Sequence, residues 1–356
     1  MKILIPITHP ADFHSFKNVV RVLEARGYEF MFFVRDRECI VELVESQGYN
    51  YVCYGKGGNS FLSKLFQIPI IDWRLLKVAK KFKPDLFLSF LSPYGAHVSW
   101  LIKKTHIALD DTEHARLQQM MYRPFTDVIL SPYVYNIKLH KRQLLFQSFK
   151  ELLYLHKNYF KADDSIFAQL GIERDEQYVV VRFVSWNAYH DMGVCALSFD
   201  DKLRIINELS SRGRVFISSE GDLPKELEKY RLPIHPSQLH SVLYYATLCV
   251  SEGATTASEA AILGTPTIYI NPLRVSYCVE EEKNGLLWQI INIDVVIRKI
   301  TEILNNPNAK IEHKNRLDNL TSQMIDGTQL LVWFIENYPE SKKIMKENPD
   351  YQNRFK

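Results

Sequence analysis

From its first residues the chain alternates short apolar runs with stretches whose apolar residues recur every three or four positions. Residues 2–7 read as a buried strand, 16–26 as an amphipathic helix stopped by Gly27, and 29–34 as a second strand. The alternation continues through a helix near 38–47, a short strand at 51–54, a helix near 73–82, and a strand at 86–90 entered through Lys83, Pro84 and Asp85. Two further apolar segments, 106–109 and 128–130, end in polar residues, as strands do when they open onto loops. Strands separated by connections of helix length imply a parallel sheet, because parallel neighbours need a crossover.

The stretch 135–164 lacks clear alternation and reads as an interdomain connection. A second series then begins: a β-branched strand at 178–183, a helix at 200–212, a strand at 215–218, a helix at 224–230, a segment at 237–246, a strand at 248–251, a helix at 256–263 and a strand at 267–270. A long helix near 315–336 could return to pack on the first half. The expectation is an α/β protein of two Rossmann-like domains with parallel sheets facing a cleft. Residues 1–160 form the N-terminal domain, 161–340 the C-terminal one, and 341–356 a polar tail. A length of 356 residues suits two cores better than one.

Composition narrows the class. Hydrophobic residues are 46% and charged residues 24% of the chain, values of a globular protein with a soluble surface. The formal charge of +3 gives no argument for a nucleic-acid partner. Five scattered cysteines form no C-x-x-C pair, which fits neither a disulfide framework nor a zinc site. With no apolar run approaching a spanning length and no secretory pattern at Met1, a cytoplasmic location is expected. Two stretches, 61–82 and 133–161, mix basic and aromatic residues. They could rest peripherally on the anionic inner face of a membrane, although the plainer reading is a solvated face.

The most informative run is Cys249-Val-Ser-Glu-Gly-Ala-Thr-Thr-Ala-Ser-Glu-Ala-Ala-Ile-Leu-Gly-Thr-Pro266. A strand passes through small residues directly into a helix, so the free amides of its first turn form an anion site suited to a diphosphate. Gly253 and Ala254 permit close backbone approach, and Thr255 and Thr256 can cap the helix. Glu259 lies one turn in, where a carboxylate can accept bonds from ribose hydroxyls. The plainer alternative is an ordinary capped helix whose Glu259 complements the dipole. Arg182 ends the strand at 178–183 and could neutralise a phosphate. The following loop holds Trp186, Asn187, Tyr189, His190 and Asp191, of which His190 could act as acid or base. Asp110, Asp111, Glu113 and His114 gather acid–base groups at another strand end, where neighbouring carboxylates drive their pKa values apart. A solvated helix N-terminus would explain them as well.

These segments resemble the sugar-nucleotide clan of glycosyltransferase-B architecture, to which the lipid II-forming N-acetylglucosaminyltransferase and the non-hydrolysing UDP-N-acetylglucosamine 2-epimerase belong. More closely, the chain resembles the domain-of-unknown-function family 354, through Met1-Lys-Ile to His9-Pro10 with His14, Asp111-Thr-Glu-His114, Arg182 to Asp191, Ser218-Ser-Glu220, and Glu252-Gly to Pro266. The resemblance implies diphosphate contact at Gly253 to Thr255 and ribose contact at Glu259. At that turn the epimerase carries Ser-Gly-Gly, so a cradle of backbone and threonine is implied here. Inverting transferases of this architecture often keep a general base after the first strand, which points to His14. The acidic run at 110–114 falls near the epimerase's catalytic carboxylates, yet Ser89 to Pro93 stand where that enzyme has another essential Asp.

The expected function is a glycosyltransferase-like enzyme of surface-polysaccharide or cell-envelope glycan assembly. Its substrate would be a nucleoside-diphosphate sugar, by resemblance a UDP-sugar, and its acceptor a glycan or lipid-linked molecule. Catalysis would fall to Asp111, Glu113, His14 or His190, and donor binding to Arg182, Gly253, Ala254, Thr255, Thr256 and Glu259. The motifs call for no metal and no resident cofactor, since helix amides and Arg182 can stabilise a leaving diphosphate. A sugar-nucleotide epimerase and a non-catalytic nucleotide-sugar-binding protein are the alternatives.

Overall fold

The computed structural model describes residues 1–56, 61–138, 141–183, 197–219 and 222–356, and of residues 61–65 only the backbone. Among the described residues, twelve strands fall in two parallel sheets. The first sheet contains β1 (Lys2–Ile7), β2 (Glu29–Val34), β3 (Tyr51–Cys53), β4 (Leu86–Phe90), β5 (Thr105–Leu109), β6 (Val128–Pro132) and β7 (Gln143–Phe146), in the spatial order β3-β2-β1-β4-β5-β6-β7. The second contains β8 (Tyr178–Phe183), β9 (Arg214–Ser219), β10 (Leu248–Ser251), β11 (Thr267–Tyr269) and β12 (Leu287–Gln289), in the order β12-β11-β10-β8-β9. The expected two-domain α/β class with parallel sheets is therefore what the chain adopts.

Each unit has its own core. Strands buried on both faces supply it, as the near-continuous apolar runs of β1, β4 and β8 require. In the second unit Val179, Val181, Ile217 and Val250 pack against Ile205 and Leu209 of the helix Phe199–Ser210 and Val296 and Ile300 of the helix Ile293–Leu304. Each such side chain contributes about 1.5–3 kcal/mol of burial.

The units are Met1–His156 with Met324–Lys356, and Lys157–Gln323. Several local expectations change accordingly. The stretch 135–164 is not simply a connection, because it carries β7 and the short helix Leu152–Leu155, both in the first unit. Four residues of edge strand leave too short a pattern to read. The periodic stretch 315–336 is two helices, Ala309–Thr321 and Gly327–Glu336, broken where Asp326 caps the second by accepting the Gln329 amide. The second of these does return to the first unit, against the helix Pro10–Glu24. It fits closely there. A Cβ at Gly327 would stand 2.8 Å from Leu153 Cδ2, and Thr328 Oγ1 donates to the Leu153 carbonyl at 2.7 Å. The polar tail at 341–356 is folded: the helix Glu340–Glu347 and the 3-10 turn Pro349–Phe355 bury Met345 and Gln352.

Other helices differ in extent. The one expected near 73–82 spans Phe61–Phe82 and runs through Pro69, a residue that a local reading takes as an interruption. The segment 224–230 winds as a 3-10 helix, Lys225–Tyr230. Pro93–Leu101 and Arg116–Tyr122 form helices that the apolar periodicity leaves unmarked. Among the described residues no helix is long and apolar enough to cross a membrane.

Candidate functional site

In an open parallel sheet the connections after two adjacent strands leave in opposite directions where the strand order reverses, and the crevice at their carboxyl ends receives ligands. In the second unit that place lies between β8 and β10. The carbonyl of Arg182 on β8 accepts the amide of Glu252 at 2.9 Å, so Arg182 and the turn at Glu252 and Gly253 are neighbours. The guanidinium donates from Nη1 to Ser218 Oγ on β9 at 3.1 Å.

The helix Ala254–Ile262 follows at once. Sequence expects Thr255 or Thr256 to cap it; instead Gly253 is the N-cap, with φ −90° and ψ 125°, and no side chain caps the helix. Ser251 explains the shift. Its Oγ accepts the Gly253 amide at 3.1 Å and donates to the Gly253 carbonyl at 2.8 Å, closing the turn one residue early. Thr256 is buried by this geometry, whereas Gly253, Ala254 and Thr255 are partly exposed. The first-turn amides have no intrahelical acceptor.

Glu259 sits one turn into that helix as expected, but buried, with Oε1 3.1 Å from Nε2 of His240, itself buried. His240 belongs to the helix Leu239–Tyr245 and escaped the sequence reading, since a lone histidine among apolar residues carries no spacing signal. A second hidden partner braces the turn. Lys202 Nζ lies 3.2 Å from Glu252 Oε2, both side chains being almost wholly buried, and Glu252 Oε1 accepts the Leu197 amide.

In the first unit Asp110 and Asp111 follow β5 directly. Asp111 is buried with Oδ2 2.7 Å from Lys150 Nζ and Oδ1 accepting from Thr112 Oγ1. Lys150 also lies 3.4 Å from Glu151. Asp111 is thus an ion-pair partner, a role its position in the sequence does not announce. Asp110 takes hydrogen bonds from the Tyr122 hydroxyl at 2.5 Å and the Thr112 amide at 2.9 Å, yet burial pushes its carboxyl up to about 7. Glu113 and His114 lie on the more exposed turn that follows.

His14, to which the resemblance points as a general base after the first strand, lies inside the helix Pro10–Glu24, which already begins after His9. Asp12 causes this early start by accepting the amides of Thr8 and His9 and the Thr8 hydroxyl, all within 3.1 Å. His14 is consequently buried and stacked on Tyr154, ring centroids 5.5 Å apart. His190, with Trp186, Asn187, Tyr189 and Asp191, lies outside the described residues. Among the described residues no cluster of three or more His, Cys, Asp or Glu side chains could hold a metal ion.

The two parallel-sheet α/β units match the glycosyltransferase-B fold of solved glycosyltransferases and epimerases. The chain belongs to the family described as "Protein of unknown function (DUF354)", whose model matches residues 1–332. An uncharacterized protein of Methanocaldococcus jannaschii, MJ0665, is 26% identical over 322 residues, covering 86% of this chain and 90% of its own length. The solved structure of UDP-GlcNAc 2-epimerase from the same organism superposes with a TM-score of 0.60 at 13% identity, covering 90% of this chain and all of that one. Spinosyn rhamnosyltransferase SpnG, complexed with thymidine diphosphate, superposes with a TM-score of 0.62 at 14% identity, covering 94% and 100%. At such identities these structures establish the fold alone.

Proposed function

We propose that the chain is an enzyme that uses a nucleoside-diphosphate sugar, a UDP-sugar by resemblance, and transfers its sugar to a glycan or lipid-linked acceptor in surface-polysaccharide or cell-envelope assembly. One observation carries the reading: the uncapped first turn of the Ala254–Ile262 helix lies at the strand-order reversal beside Arg182, with the Glu259 carboxylate on the same helix. Amides and a guanidinium there would bind the diphosphate and stabilise it as it leaves, and Glu259, oriented by His240, would hold the ribose. That SpnG has been solved with thymidine diphosphate supports the choice of ligand class.

A second reading, epimerisation, is favoured by the buried acid pair. A carboxyl near pKa 7 at Asp110, next to Asp111, suits proton exchange at a sugar carbon. The two readings part on products. Mass spectrometry of the full-length protein with UDP-N-acetylglucosamine and a panel of glycan and lipid-linked acceptors in deuterated water should show UDP together with a glycosylated acceptor for transfer, or deuterium in an intact nucleotide sugar for epimerisation. Calorimetry with UDP supplies the prior test: Glu259→Gln should weaken binding about tenfold, the loss of a charge-assisted hydrogen bond. Absence of any heat with UDP would remove the nucleotide reading.

A further inference from the structure

The first sheet has its own strand-order reversal, between β1 and β4. A cavity of about 410 Å³ opens there, bordered by Thr8 after β1, Arg35 after β2 and Leu91 after β4. That volume lies within the range of small-ligand sites. Its two sides differ in chemistry. One is apolar: Ile68 and Ile71 from the helix Phe61–Phe82, Leu117 and Met121 from the helix Arg116–Tyr122.

The other side is cationic and aromatic. Arg35 lies with Tyr54 and Tyr94, whose rings meet edge to face with centroids 6.3 Å apart. Burial raises both phenols, and the Arg35 charge acts on both in the opposite sense. Arg35 Nε is buried without a hydrogen-bond partner, and among the described residues its guanidinium has no carboxylate partner. Arg37 differs in being paired with Glu38 at 2.7 Å. Arg116, also at the border and also without a carboxylate partner among the described residues, adds a second positive charge, and no acidic side chain is among the described residues that line the cavity. A buried guanidinium donor left unsatisfied is costly, and a planar fork of this kind matches phosphate oxygens.

We propose that this cavity binds an organic phosphate bearing an apolar substituent, the phosphate meeting Arg35 and the substituent lying against Ile68, Ile71, Leu117 and Met121. The binding stands on the cavity alone, whereas its role as the acceptor site rests on the proposed function.

The test is calorimetry of the full-length chain with hexyl phosphate, hexanol and inorganic phosphate. Hexyl phosphate should bind at least tenfold more tightly than either control, and Arg35→Gln should lose at least tenfold while unfolding at the same temperature. Leu117→Glu, which places a negative charge at a half-exposed border position, should weaken binding at least fivefold. Equal binding by Arg35→Gln, or equal affinity for inorganic phosphate, overturns the site. UDP titrated in parallel separates the two conclusions: UDP heat without hexyl phosphate heat overturns this cavity and spares the nucleotide reading, and the reverse does the opposite. Co-sedimentation with phosphatidylcholine vesicles carrying phosphatidic acid identifies the source. Retention abolished by Arg35→Gln means a lipid headgroup; hexyl phosphate binding without retention means a soluble phosphate ester.

Discussion

Asp110 directly follows β5, whose last four residues are buried, and it accepts hydrogen bonds from Tyr122 and Thr112. Those bonds favour the carboxylate, but desolvation outweighs them and the group titrates near 7. Between about pH 4, where an unfolded Asp titrates, and pH 7 the native state therefore holds a proton that the unfolded chain releases. The stability Asp110 contributes is fully present below pH 4 and is lost as pH rises through 7. Asp110→Asn imitates the neutral acid. It should leave thermal unfolding at pH 4 unchanged and raise the unfolding temperature at pH 8, by a stabilisation on the order of 4 kcal/mol at most. A variant whose melting temperature tracks the wild type across this range would show that the carboxyl is ionised in the native state.

The Ala254–Ile262 helix depends on supports from other elements. The buried pair of Lys202 and Glu252 fixes the turn that precedes it. Lys202→Met leaves Glu252 buried without its cation, a change that costs about 3–5 kcal/mol in other proteins; chemical denaturation should register it, together with weaker UDP binding. The helix itself was legible in sequence, because a strand, small residues and Glu259 follow one another within a dozen positions. Its supports were not, since Lys202 lies 50 positions before Glu252 and His240 lies 19 before Glu259, on other helices, and a buried charge looks like any surface charge until the fold is known. Strands flanked by helices of ordinary length, such as β1, β2 and β8, could be read from their apolar runs. The four-residue edge strand β7 and the helix running through Pro69 could not, because their formation depends on neighbours distant in sequence. The early start of the Pro10–Glu24 helix, which sets His14 in a stacked, buried place, follows from three hydrogen bonds to one Asp12 oxygen.

At the scale of the molecule the chain leaves the first unit after His156 and re-enters it at Met324. The final segment supplies a helix against Pro10–Glu24, and its Lys342 donates to the Asp127 carbonyl next to β6. A protein cut after residue 323 should keep UDP binding in the second unit, yet show early proteolytic cleavage between β1 and β7, which limited trypsin digestion and mass spectrometry would locate. Equal resistance of both halves would mean that the last segment adds nothing to the first. There is a consequence for synthesis, which runs from the amino end and usually lets domains mature in that order. Here the unit begun first is completed only when residues 324–356 have emerged, so part of its apolar surface has no partner until after residues 157–323, which can fold earlier, have been made.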